Sequence, residues 1–132
     1  MSDPIKVFTV IALISLPTVM FGGYSLLRLL IRERLDEFQQ TYFRAGHAHA
    51  GVLLVLTLVS LNILAGTELG TAARWVICLL LLVGVLAQSG GMFVHMAKGA
   101  PGRWSVGNSL SVAGAGALAL ALLWIAYGVI IT

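Results

Sequence analysis

Charge is scarce in this chain. Five acidic and eight basic residues make up 10% of its 132 positions, where a soluble domain carries about 25%. Hydrophobic residues account for 59%. So few charges cannot cover so much apolar surface in water, which excludes an ordinary soluble fold. The chain has one cysteine, Cys78, inside an apolar run, so an internal disulfide is excluded and compartment cannot be read from cysteine usage. No acidic residue lies within an apolar run, which argues against a small proton-coupled exporter, since such a protein needs an intramembrane carboxylate. There is no nucleophile–base pair, phosphate-binding glycine loop or zinc-ligand spacing. Catalysis by this chain alone is therefore not expected. The net charge of +3 is spread over loops, so nucleic acid is not an expected partner.

What the chain does have is four long apolar runs. Each is long enough for a bilayer crossing, which takes roughly 20 apolar residues. Backbone amides in lipid must be paired internally, and the runs are continuous rather than alternating, so they read as helices. The expected fold is an all-α, four-transmembrane-helix bundle in one domain, with helices over 4–31, 46–65, 74–97 and 105–131. The first run follows a weakly charged SDPIK start and has no A-x-A site, so it reads as a retained helix rather than a signal peptide. Pro17 is expected to kink it, and Gly22 and Gly23 permit bending or close packing. An amphipathic connector over 32–45 carries Leu35, Phe38 and Tyr42 at helical spacing.

Positive charge sets an expected orientation. Arg28, Arg32, Arg34 and Arg44 flank the first connection and Lys98 and Arg103 the third, against Lys6 and Arg74 on the other side. The positive-inside rule then puts the connector and the KGAPGRW loop in the cytoplasm and both termini outside, in what reads as a bacterial cytoplasmic membrane. Trp104, Trp124 and Tyr127 are expected to set the depth of the last helix.

That last helix is rich in small residues. Gly107, Ser111 and Ala115 recur at four-residue intervals, as do Ala113, Ala117 and Ala121, with Gly114 and Gly116 between. Small residues let membrane helices approach closely. The pattern predicts tight packing, either inside the bundle or against another membrane subunit or a second copy. Asn62, Gln88 and Asn108 are expected to hydrogen-bond across helices.

The three histidines fall near one membrane face. His47 and His49 open the second helix and His95 closes the third. Residues two apart on a helix point about 200° apart, so His47 and His49 serve different neighbours. Met92, His95 and Met96 share one face, a soft donor set suited to Cu(I) or to one axial position of a haem. Three uses stand open: hydrogen bonding to headgroups or carbonyls, ligation of haem b or copper by His47, His49 and His95, and proton relay. The AGHAHAG segment resembles part of the haem–copper oxidase catalytic subunit. In that family two such histidines ligate haems on opposite sides. The rest of that ligand set is absent here.

Composition thus leads to three expectations of function. The first is an accessory or structural subunit of a larger membrane complex, respiratory or transport. The second is a haem- or copper-binding bundle with ligands from helices 2 and 3, and the third a small channel or transporter.

Overall fold

The computed structural model describes residues 3–132, and within them four helices account for most of the chain: α1 (Pro4–Ile31), α2 (Glu37–Ala65), α3 (Thr71–Lys98) and α4 (Val106–Ile131). All four are long and apolar enough to cross a membrane. A 28-residue helix is about 42 Å long, against a hydrocarbon core of about 30 Å. Each helix therefore has length to spare at its ends.

Local chemistry sets the helix ends. Asp3 caps α1 by accepting from the Ile5 amide at 3.0 Å, with Pro4 in the first turn where its missing N–H costs nothing. The helix continues through Pro17 without a break in its residue range. It stops in a Schellman arrangement. The Glu33 amide donates to the Leu30 carbonyl and the Arg34 amide to Leu29, with Glu33 in the left-handed region at φ 52°.

The start of α2 differs from the sequence expectation. The helix begins at Glu37, not Gly46, so most of the expected connector is the first turns of α2 itself. The cause is a capping box. Asp36 Oδ1 accepts from the Gln39 amide at 2.8 Å, and Gln39 Oε1 accepts from the Asp36 amide at 3.1 Å. Likewise α3 starts at Thr71 rather than Arg74. Ser105 and Asn108 form a second capping box that starts α4.

The helices run alternately up and down, so both termini lie at the end that carries the α2–α3 loop. There the Glu68 amide donates to Thr132 Oγ1 at 3.0 Å and ties the loop to the end of α4. The α2–α3 hairpin is the central pair. α1 packs chiefly on α2, α4 chiefly on α3, and α1 and α4 do not touch among the described residues.

Packing differs between the two ends. The terminal end is filled by large apolar side chains, with Leu61, Leu64, Ile77 and Leu81 fully buried and Phe8 edge-on to Trp75. Towards the histidine end the α3–α4 contact is made of small residues. A Cβ on Gly91 would strike the Gly107 carbonyl and Ser111, and one on Gly114 would strike the backbone at Gln88 and Gly84. The seam on α4 is Gly107, Ser111, Gly114, Leu118, Ala121 and Ile125, a heptad-like advance of four then three. Of the small-residue rows, Gly107, Ser111, Gly114 and Ala121 lie on this seam. Ala115 and Gly116 lie off the seam and are exposed. A row of every fourth residue drifts around a helix, whereas helices packed nearly antiparallel meet along a seven-residue repeat.

Candidate site at the histidine end

The three imidazoles occupy one end of the bundle but face three different neighbours. His47 faces α1. A Cβ built on Gly23 would lie 2.9 Å from its Nε2, and one on Gly22 would lie 3.6 Å from its Nδ1. The ring therefore rests on the Gly22–Gly23 backbone. This gives the glycine pair a packing partner that composition did not supply.

His49 points the other way. Its Nδ1 lies 2.8 Å from the Ala45 carbonyl oxygen, one turn back on the same helix. A carbonyl can only accept, so Nδ1 carries the proton, and in the neutral ring Nε2 is left as an acceptor. The ring lines an open cavity with Gln88 of α3.

His95 is the most enclosed of the three, only 2% exposed. It sits edge-on to Tyr42 at 4.4 Å and Phe38 at 5.3 Å between ring centroids. Both aromatics belong to the first turns of α2, so the early start of that helix is what encloses His95. Its Nδ1 is 2.7 Å from Ser105 Oγ, the cap of α4. Ser105 Oγ also accepts from the Gly107 amide at 3.1 Å and lies 3.3 Å from Asn108 Oδ1. One imidazole thus joins the start of α2, the end of α3 and the start of α4. Gly99 and Gly107 pass so close to this residue that a Cβ on either would collide with it.

Above His95 opens a cavity of about 690 Å³ between the first turns of α2 and the segment Met96–Pro101, lined among others by Asp36, Glu37, Tyr42 and Met96. Met96 faces this space, whereas Met92 does not line it. Among the described residues no three histidine, cysteine, aspartate or glutamate side chains converge on one point.

The expected cross-helix amide bonds are replaced by other arrangements. Asn108 caps its own helix. Between α3 and α4 the Ser111 hydroxyl donates to the Gln88 backbone carbonyl at 3.0 Å, while the Gln88 carboxamide and the exposed Asn62 have no partner among the described residues. The His95–Ser105 bond and the seating of His47 on glycine were missed by sequence reasoning, because both partners lie on other helices.

No family model, curated protein or solved structure matches this chain.

Proposed function

We propose that this chain is a small accessory subunit of a larger assembly, respiratory or transport, in a bacterial cytoplasmic membrane. Its four helices span the bilayer, the histidine end faces the cytoplasm and the termini face out, as the charge distribution favours. One observation carries the reading. α4 leaves small residues uncovered outside its seam with α3, interleaved with exposed Val112, Leu120 and Leu123. Ala113, Ala115, Gly116 and Ala119 are exposed on the rest of the helix, and nothing lies within 4 Å of a Cβ built on Gly116. In lipid, where no hydrophobic drive joins helices, such a surface favours close approach by another helix.

The test is native electrophoresis and co-purification in mild detergent, with Gly116→Leu as the probe. The wild-type chain should migrate with larger membrane proteins. Gly116→Leu should release it while leaving the stability of the isolated chain unchanged. A chain that migrates alone, with Gly116→Leu without effect, rules the subunit reading out.

A second reading is favoured by His95. A hydrogen bond between Nδ1 and Ser105 is the kind of outer-sphere contact that orients a ligating imidazole and, with Nδ1 as the donor, leaves Nε2 to bind, and Met92 and Met96 flank it in sequence. Copper bound as Cu(I), or haem b with help from His47 or His49, would be seen as bound metal or a Soret band. That signal should be lost in His95→Ala.

A further inference from the structure

One stripe of α2 faces neither the α1 glycines nor the middle of the core. His49, Val52, Leu56, Val59 and Ile63 recur along it every three or four residues, with the buried Ser60 at its edge, the spacing of one helical face. Towards the histidine end, His49 and Val52 line an open cavity of about 320 Å³ with Ala48, Leu53 and Gln88 of α3. One turn further on, Leu56, Val59, Ser60 and Ile63 line a second open cavity of about 450 Å³ with α4 residues that include Leu122, Ile125 and Val129. Ser60 is the only polar residue lining the second cavity. The two cavities follow one another along α2 without a lining residue in common, the first with polar groups and the second almost wholly apolar.

The polar end has a defined hydrogen-bonding character. The Ala45 carbonyl holds the proton of His49 on Nδ1, so Nε2 is an acceptor. The Gln88 backbone is pinned by Ser111, while Gln88 lines the cavity and its carboxamide has no hydrogen-bond partner among the described residues. An imidazole acceptor and an unpaired amide in hydrocarbon are unfavourable unless something supplies the matching groups. A hydroxyl would donate to Nε2, and a carbonyl or second oxygen would meet the amide. Volumes in this range suit a ring at the polar end and an aliphatic tail along the apolar one.

We propose that this groove binds a lipid-soluble molecule with a hydroxyl- and carbonyl-type ring and an apolar tail, the chemistry of a quinol. Its head lies at His49 and Gln88 and its tail between α2 and α4. The inference rests on the membrane placement proposed above but not on the subunit reading, because it concerns the isolated chain.

The purified chain in phosphatidylcholine nanodiscs is titrated with heptyl hydroxyquinoline N-oxide, a fluorescent quinol analogue. Saturable quenching is expected. His49→Leu and Gln88→Met should each weaken binding by about tenfold, the loss of roughly one well-placed hydrogen bond. Val52→Trp, which fills the cavity, should abolish saturation. Helicity and thermal midpoint of each variant serve as fold controls, and three variants at separate positions guard against one that does not fold. Non-saturable partitioning equal to empty nanodiscs, or binding indifferent to all three substitutions, overturns the proposal. A dimer that Val52→Trp splits, without probe binding, assigns the groove to a second copy and also overturns it. Failure of the chain to enter nanodiscs overturns the membrane placement and the ligand with it.

Discussion

Gly91 and Gly107 face each other so closely that a methyl group on either would meet the other's carbonyl oxygen. Gly90, its neighbour in sequence, has nothing within 4 Å of the same position. Gly91→Leu should therefore destabilise the chain by about 1–3 kcal/mol through overpacking, while Gly90→Leu stays within about 0.5 kcal/mol of wild type. Denaturation in mixed detergent micelles checks both. Glu33 presents the opposite case, a residue with a side chain at φ 52°, where Cβ meets the following carbonyl. Glu33→Gly should raise stability by about 1 kcal/mol in the same assay. The sequence shows that glycines are plentiful in α3 and α4. Which of two adjacent glycines touches the next helix depends on rotation about the helix axis, and composition does not contain that angle.

At the scale of elements, the length of α2 matters most for the candidate site. The apolar run begins at Gly46, but Asp36 and Gln39 start the helix at Glu37 and carry Phe38 and Tyr42 onto His95. The D-E-F-Q tetrapeptide holds that signature. A criterion based on hydrophobicity alone does not register it, because capping is a hydrogen-bond property. Asp36→Ala should cost about 1 kcal/mol. Fraying should follow, seen as faster hydrogen exchange at Phe38 to Tyr42. Exchange at Leu61 to Leu64, in the tightly packed end, should stay unchanged. The contrast arises because the first turns of α2 are held by a cap and aromatic edges, whereas the far end is held by side chains with almost no exposure.

For the molecule as a whole, the consequence is a bundle with unlike ends. Large apolar side chains close the end bearing the termini, and histidines, glycines and capping hydroxyls close the other. If the histidine end faces the cytoplasm, single cysteines introduced in a Cys78→Ala background will report it in intact cells. A cysteine at Glu68 should react with a membrane-impermeant maleimide, and one at Gly102 should react only after permeabilisation. The reverse pattern would invert the proposed orientation without altering the bundle.

Sequence alone determined the number of helices, their apolar character, and the presence of all three imidazoles at one end. These follow from hydrophobicity and chain length, which are sums over residues. Only the tertiary structure decided that His47 rests on Gly23, that His95 bonds to Ser105, that His49 opens towards Gln88, and that Gly114 rather than Gly116 meets α3. Those facts depend on how each helix is rotated and how it crosses its neighbours, which side-chain packing sets only once all four helices are together.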